Sequence, residues 1–390
     1  AQTCGSCHQA QVERAKGAGH FTLANKINAV RAHFGATKRL AGPNAIPVAD
    51  PASSPQALAD DLLRRRCLRC HVYGPGDHYP AVSHGSGCAA CHLPFQNGRL
   101  QAHTFARPAD NRCLSCHYGN YVGSDYHGRS EHDYHWEYRT PYAPTGYGPR
   151  PYGVEYRDLT PDIHQQRGLV CIDCHQDSGH NAKPSVRCAS CHDWRPGQPV
   201  PPVRTLKADR GLLVLTSRAD GRIHPVPPLQ HHREFGRTVA CQVCHAQWGS
   251  NDSTTHLLLT HTEDFDPWEE LTVQGSSEVE SLLSHNLYSE DPERPAAMRD
   301  GLTGEVRPGV WLQGFTQRRF EQLLVRRDTD GVIKVFRPIL DLRLSLVDAD
   351  DNPLVDNLTG ADSGLRPYTP HTTGPAGLFY RDRFQHLLER

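Results

Sequence analysis

The 390-residue chain has little apolar sequence and no long apolar run. Hydrophobic residues make up 37% of it, and its mean hydropathy is −0.60. A membrane-spanning helix needs about 20 consecutive apolar residues, and no stretch approaches that length, so we expect no transmembrane segment. A net charge of −1 lacks the basic excess that attracts phosphate backbones, so we also expect no nucleic-acid partner.

Methionine is almost absent, since Met298 is the only one. Two other residue types are unusually frequent, with 14 cysteines and 25 histidines. The low apolar content, together with 33 glycines and 30 prolines, does not favour a large conventional core. We therefore expect something other than side-chain packing to organise much of the chain.

All cysteines fall into C-x-x-C pairs, and a histidine follows every pair, so C-x-x-C-H is the repeating unit. We number the seven motifs in chain order. Each is given by its two cysteines and its histidine: Cys4, Cys7 and His8; Cys67, Cys70 and His71; Cys88, Cys91 and His92; Cys113, Cys116 and His117; Cys171, Cys174 and His175; Cys188, Cys191 and His192; Cys241, Cys244 and His245.

C-x-x-C-H is the attachment sequence of c-type haem. The two thiols form thioethers with the two vinyl groups of one porphyrin, and the adjacent imidazole binds iron as the proximal ligand. A zinc ribbon needs two C-x-x-C knuckles per metal and no histidine after each one. Disulfide frameworks and thioredoxin-like redox sites do not require that histidine either. The sequence therefore predicts seven covalently bound haems c.

With these motifs the chain resembles the multihaem c-type cytochromes of the bacterial periplasm and cell surface. Residues 111–156 and 240–250 look like cytochromes from metal-respiring bacteria, and the resemblance covers residues 1–250. It implies an electron carrier whose partners are other redox proteins or extracellular acceptors. Some members polymerise into extracellular filaments, so the resemblance also implies a homopolymer as one arrangement.

The second axial ligand decides between electron transfer and catalysis, because an open iron position binds substrate. One methionine can serve at most one haem, so we expect mainly bis-histidine coordination. Five of the predicted distal ligands lie four to ten residues before a motif, and a short tether can bring such a histidine to a neighbouring iron. The predicted distal ligands are His20, His84, His103, His132, His164, His180 and His232.

Alternatives remain open at three of these positions. They are His78 for His84, His127 or His135 for His132, and His231 for His232. The other histidines outside the motifs that we weighed are interpreted as ordinary side chains rather than ligands: His33, His256, His261, His285, His371 and His386.

No residue is predicted to be catalytic. Pentahaem nitrite reductases use a C-x-x-C-K motif at the active haem, and no motif here ends in lysine. We therefore expect an electron carrier rather than an enzyme. The alternative is a terminal reductase for nitrite, hydroxylamine, sulfite or metal ions, with one open haem.

Two domains are expected. Residues 1–250 contain all seven motifs, and about 35 residues per haem is too few for separate domains. We expect a haem-organised fold, mostly coil with short α-helices at 10–34 and 57–66, and a hairpin over 206–226 turning at 218–221. Residues 251–390 contain no cysteine and are expected to be a haem-free α+β region. Its small antiparallel sheet would use strands at 320–326, 332–337 and 339–347, and its terminal helix residues 377–389.

The cofactor also predicts the compartment. Covalent haem attachment of this kind occurs on exported apoprotein outside the cytoplasmic membrane, so we expect a periplasmic or cell-surface protein. A chain that starts at Ala1 without a signal peptide is expected to be the processed form.

Overall fold

The structure is a computed structural model that describes the following residues: 2–48, 53–68, 70–74, 84–96, 99–117, 128–133, 154–159, 161–176, 186–230, 235–249, 251–252, 255–261, 297–313, 318–319, 323–375 and 378–388. Predictions that concern other residues are noted below as lying outside this part of the chain.

The helices are short, and most lie in the first 250 residues. In chain order they are α1 Gln2–Gly5, α2 Gln9–Lys16, α3 Gly19–Thr22, α4 Ala24–His33, α5 Pro55–Leu62, α6 Ala89–His92, α7 Asp110–Cys113, α8 Ile163–Gln166, α9 Cys171–Cys174, α10 Cys188–His192, α11 Cys241–His245 and α12 Gln385–Leu388. A 3₁₀-helix covers Pro43–Ala45 and another covers Leu378–Arg383. A π-helical turn covers Leu63–Cys67.

The region predicted as one helix over 10–34 is divided into α2, α3 and α4. Gly17 ends α2, and Leu23 interrupts the path between α3 and α4 with a left-handed φ of 50°. The helix predicted over 57–66 begins earlier, at Pro55. Ser54 caps it by accepting the Ala57 N–H at 3.1 Å, and proline at the first helical position suits a helix start.

The strands lie mostly in the second half of the chain. They are β1 Phe95–Gln96, β2 Arg99–Leu100, β3 Gly128–Asp133, β4 Val154–Leu159, β5 Leu206–Asp209, β6 Leu212–Thr216, β7 Ile223–Pro225, β8 Asn251–Asp252, β9 Thr255–Thr260, β10 Ala297–Arg299, β11 Val306–Pro308, β12 Val310–Gln313, β13 Arg318–Arg319, β14 Leu324–Arg327, β15 Ile333–Pro338, β16 Leu342–Val347, β17 Pro353–Thr359 and β18 Leu365–Pro367.

The C-terminal strands form two larger sheets. One has the order β12-β9-β16-β17, and the other is antiparallel with the order β14-β15-β18. The first sheet is mixed, because β9 and β16 run parallel. The predicted strands correspond to β14, β15 and β16, with residues 320–322 outside the described part. Sequence alternation marked these strands but not the parallel pairing of β16 with β9, whose paired residues lie 87 positions earlier in the chain.

The predicted hairpin is a three-stranded antiparallel unit formed by β5, β6 and β7. Its tight turn lies at Arg210 and Gly211, whose φ values of 46° and 80° are those of a two-residue hairpin turn. The predicted turn at 218–221 is the longer connection between β6 and β7. Arg210-Gly211 and Asp220-Gly221 both end in a glycine that can adopt a positive φ. The local sequence therefore could not show which of the two forms the tight turn.

A large apolar cluster joins the two halves of the chain. Ile27 and Leu58 from α4 and α5 pack in the same cluster as Leu258, Trp311 and Leu344 from the mixed sheet. All five side chains are fully buried. The predicted domain boundary at residue 250 therefore passes between segments that share one core.

Buried ion pairs reinforce this contact. Arg64 donates to Asp300 at 2.6 Å, and Arg65 donates to Asp61 at 2.6 Å. Arg65 also donates to the carbonyl oxygens of Pro308 and Gly309. The arginines at the end of α5 are thus tied to the C-terminal strands.

The region predicted as a terminal helix contains the 3₁₀-helix Leu378–Arg383 followed by α12. Phe384, between them, is 1% exposed and packs with Val243 of α11 and with Ile333 and Val335 of β15. In the part of the chain that the structure describes, no helix has the length and apolar character required to cross a membrane.

Candidate haem-binding sites

Six of the seven motifs form one helical turn. The histidine N–H donates to the carbonyl oxygen of the first cysteine in motifs one, three, four and five, at 2.8, 3.0, 2.8 and 2.9 Å. Motifs six and seven are the complete helices α10 and α11. Residues i, i+3 and i+4 of a helical turn lie on one face, so both thiols and the imidazole lie on the same side. One porphyrin with two thioethers and one axial imidazole requires this arrangement.

Motif two is built differently. Its first cysteine ends the π-helical turn Leu63–Cys67, in which the Leu68 N–H donates to the Leu63 carbonyl at 3.0 Å. His71 donates its N–H to Leu68 at 3.2 Å and is 6% exposed. Turns of this kind are frequent at functional sites because they displace a side chain from the regular helical position.

Three histidine pairs bring a motif histidine next to one from outside the motifs. The ring centroids of His20 and His117 are 6.0 Å apart, those of His164 and His192 are 6.1 Å apart, and those of His175 and His371 are 6.0 Å apart. His20 and His164 are two of the predicted distal ligands. The sequence analysis interpreted His371 as an ordinary side chain.

The spacing within these pairs fits two axial ligands of one iron. An imidazole nitrogen binds a metal such as zinc at about 2.0 Å, and iron is similar. With one nitrogen on each side of the metal, the two ring centroids are then about 6 Å apart. Ring rotation about each metal–nitrogen bond leaves this distance unchanged. The pairs therefore have the separation that bis-histidine coordination needs.

Hydrogen bonds at Nδ1 support the same fit. A histidine whose Nδ1–H donates to an oxygen binds metal through Nε2. Five of the described histidines have Nδ1 against a carbonyl or carboxylate oxygen, and four of them are motif histidines or predicted distal ligands. These four contacts are His92 to Ala106 at 2.9 Å, His192 to Pro227 at 2.8 Å, His84 to Gly85 at 2.8 Å and His164 to Asp162 at 3.3 Å. The fifth is His33 to Asp362.

His84, another predicted distal ligand, lies between motifs two and four. It is 1% exposed, and its Nε2 is 3.3 Å from the Cys116 thiol. Burial lowers the pKa of His71, and the nearby His84 lowers it further. A lowered pKa keeps an imidazole neutral, which is the form that binds metal.

His103 lies close to motifs one and three. Its ring centroid is 5.4 Å from that of Phe105, which is 4.8 Å from His8 and 5.7 Å from His92. One phenyl ring thus contacts two motif histidines and one predicted distal ligand.

The other predicted distal ligands are less fully described. His132 is on β3, in register with Glu155 of β4. His180 and His232 lie outside the described residues, as do the alternatives His78, His127, His135 and His231 and the ordinary histidine His285. His33 is buried, and its Nδ1 lies 2.9 Å from Asp362.

The cysteines indicate which motifs are neighbours in space. Thiols of different motifs lie close enough that one shifts the pKa of the other: Cys4 and Cys88, Cys113 and Cys171, and Cys188 and Cys241. Burial, and then the proximity of Cys113, raises the pKa of Cys91 to about 11. Burial and Cys191 likewise raise the pKa of Cys174 to about 11. The motifs therefore follow one another in the spatial order one, three, four, five, six, seven.

Motif two lies beside motif four. The Cys116 thiol donates to the Cys70 carbonyl at 2.9 Å, and His84 lies against both motifs. Motif two therefore lies beside motif four and outside the linear order formed by the other six motifs.

Among the described residues, no group of three or more histidine, cysteine, aspartate or glutamate side chains is placed to hold a metal ion.

Comparisons with known proteins find no matching family model, no similar curated protein and no similar solved structure. The assignment of the cofactor rests on the seven motifs and on the geometry around them.

Proposed function

We propose that the protein is an electron-transfer multihaem cytochrome c that holds seven haems c. The observation that carries the proposal is the set of three histidine pairs with centroid spacings of 6.0 to 6.1 Å. Each pair joins a motif histidine to one from elsewhere in the chain. Ordinary packing of 25 histidines gives no reason for that combination to recur.

The residues would hold each haem in a uniform way. The two cysteines of a motif form the thioethers, and the motif histidine is the proximal ligand. His20 would be the second histidine ligand of the haem in motif four, and His164 that of the haem in motif six. His84 would serve motif two, and His103, His132, His180 and His232 are the candidates for the other irons.

Bound haem supplies an iron that alternates between the ferric and ferrous states. Where two histidines of the chain would bind one iron, no coordination position would be open to substrate. Oxygen atoms that contact Nδ1 hold the imidazole rings in one orientation. They include the Asp162 carboxylate next to His164 and the Pro227 carbonyl next to His192. This coordination favours electron transfer over catalysis.

The spatial order of the motifs supports a continuous electron path. Thiols of neighbouring motifs interact electrostatically from motif one through three, four, five and six to motif seven. Porphyrins attached at such neighbouring sites would lie close to one another. Cys7 and Cys241, at the two ends of this order, are exposed, as is Cys188 of motif six. Electrons would enter and leave through these terminal haems, with other redox proteins or extracellular acceptors as partners of an exported carrier.

Spectroscopy of the purified haem-loaded protein tests the coordination. We expect magnetic circular dichroism and electron paramagnetic resonance to find every ferric iron low-spin and six-coordinate. The reduced protein should not bind carbon monoxide. The terminal-reductase alternative requires an open haem. A high-spin iron in the wild-type protein, together with turnover of nitrite, hydroxylamine or sulfite, would favour that alternative.

A further inference from the structure

His371 lies in the C-terminal half of the chain, four residues after the end of β18. No cysteine motif is near it in sequence. Its ring centroid is nevertheless 6.0 Å from that of His175, the histidine of motif five, with an interplanar angle of 32°. The other two histidine pairs with this spacing also contain a motif histidine.

Backbone hydrogen bonds fix the segment that carries His371. The Gln247 N–H donates to the Thr372 carbonyl at 3.1 Å, and the Gly374 N–H donates to the His245 carbonyl at 2.9 Å. These bonds pair residues 372–374 with the end of motif seven. The segment is therefore held by the haem-binding part of the chain rather than by its own sheet.

A further bond fixes the same segment to the region before motif five. The Ile163 N–H, at the start of α8, donates to the Thr373 carbonyl at 3.0 Å. Residues 371–373 thus lie between α8 and α11. Helix α8 lies just before motif five, and α11 is motif seven. Several independent contacts therefore set the position of His371 relative to His175.

The surroundings of His371 contain a second histidine pair. His371 lies close to His164 as well as to His175, and the carboxylate of Asp162 lies near both His371 and His164. The pair of His175 with His371 and the pair of His192 with His164 are therefore neighbours in space.

The other histidine close to His175 has a different partner. His20 interacts electrostatically with His175, but its ring is 6.0 Å from that of His117 in motif four. With His20 assigned to motif four, His371 is the described histidine next to His175 that remains for motif five. The thiols of Cys113 in motif four and Cys171 in motif five lie close together, so two adjacent haems would place these four imidazoles in one region.

We propose that His371 is the distal ligand of the haem iron in motif five, opposite His175. This inference rests on the proposed function, because it requires that motif five binds haem. It gives the C-terminal region a role within the electron path. Motif five is in the middle of the spatial order of motifs, so residues 251–390 would complete the coordination of a central haem.

The test uses the full chain with its haems attached. In His371→Ala we expect one iron per chain to become high-spin in the ferric protein, by electron paramagnetic resonance and magnetic circular dichroism. Added imidazole should return that iron to the low-spin state. The matched control is His386→Ala, which removes an exposed histidine of α12 and should leave every iron low-spin.

A second variant keeps the test decisive if the alanine variant accumulates poorly. In His371→Met a thioether replaces the imidazole, so the iron should stay low-spin while one midpoint potential rises. Low-spin irons with unchanged potentials in either variant would overturn the assignment of His371. Haem-free wild-type protein would instead overturn the proposed function, so the two failures are distinguishable.

Discussion

A histidine can serve as a distal haem ligand only if its ring lies close to the motif histidine of that iron and is held in a fixed orientation. His164 meets both conditions, since its ring is 6.1 Å from that of His192 and its Nδ1 contacts Asp162 at 3.3 Å. The carboxylate is also close to His371 and interacts with it electrostatically. At the residue scale, therefore, the donor strength of two imidazoles depends on one aspartate.

His164→Met tests the ligand assignment in motif six. A thioether donates less strongly to ferric iron than an imidazole does, so one midpoint potential should rise. The expected rise is on the order of 100 mV, within the roughly 0.8 V range that axial ligands set. Potentiometric titration followed by visible absorption measures it, with His386→Met as the control. A titration identical to that of the wild type would exclude His164 as a ligand.

Asp162→Asn tests the contact between the Asp162 carboxylate and Nδ1 of His164. Loss of the negative charge makes the imidazole a weaker donor and destabilises the ferric iron, so potentials in motifs five and six should rise. We expect tens of millivolts, where about 59 mV corresponds to a tenfold change in a one-electron equilibrium. Asp193→Asn is the matched control, because it removes the same charge from an exposed side chain next to His192. Equal shifts in the two variants would contradict the proposed contact.

The sequence points to His20 and His164 because each lies on a short segment near a motif, and the structure brings each ring to about 6 Å from a motif histidine. It could not predict the contact of His371, which is almost 200 residues from His175 and follows no motif. The hydrogen bonds that place it belong to the backbone of residues 245–247 and 372–374, where side-chain identity carries little information. For the same reason the sequence could not assign a particular haem to each spare histidine.

At the scale of elements, the π-helical turn after α5 links the two halves of the chain. It carries Arg64, Arg65 and Arg66, whose side chains are buried and hydrogen-bond to residues of the C-terminal half. Arg64 pairs with Asp300 there, and a buried charge that loses its partner is strongly destabilising.

Asp300→Asn should lower the free energy of unfolding by about 3 to 5 kcal/mol, because Arg64 would stay buried without a countercharge. Chemical denaturation of the haem-loaded protein, followed by far-ultraviolet circular dichroism, measures the change. The control is Asp330→Asn, in the exposed pair with Lys334, which should cost at most about 1 kcal/mol. A loss no larger than that of the control would contradict the structural role of the pair.

The same pair predicts an acid-dependent loss of stability. Burial alone would raise the pKa of Asp300, but hydrogen bonds from Arg64 and from the Leu302 and Thr303 N–H groups bring it below its usual value. The unfolded chain then binds this proton at a higher pH than the folded chain does. Stability from the pair is present above a pH of about 3.9 and is lost below it. The Asn variant should show a smaller loss over that range in the same denaturation experiment.

At the scale of the whole molecule, the two predicted domains are closely joined. The apolar cluster contains side chains from α4 and α5 and from the mixed sheet, and the Arg64 ion pair crosses the same contact. The absence of cysteine beyond residue 244 predicted a separate haem-free unit. Composition alone could not reveal that its sheet covers the N-terminal helices, since this depends on long-range packing.

A chain that ends at residue 250 tests how far the predicted boundary holds. Without the mixed sheet, Ile27 and Leu58 lose their apolar cover, and motif five loses His371. We expect rapid proteolysis within residues 27–68 and one high-spin iron per chain, by mass spectrometry of the fragments and electron paramagnetic resonance. A protease-resistant fragment with only low-spin irons would support the boundary at 250 and contradict the shared core.

The most direct test of the central claim is the intact mass of the purified protein under denaturing conditions, combined with its iron content. The account predicts a mass increase equal to seven covalently attached haems and seven irons per chain, with one haem on a proteolytic peptide from each C-x-x-C-H motif. A chain of unmodified mass, or one that contains zinc in place of iron, would contradict it.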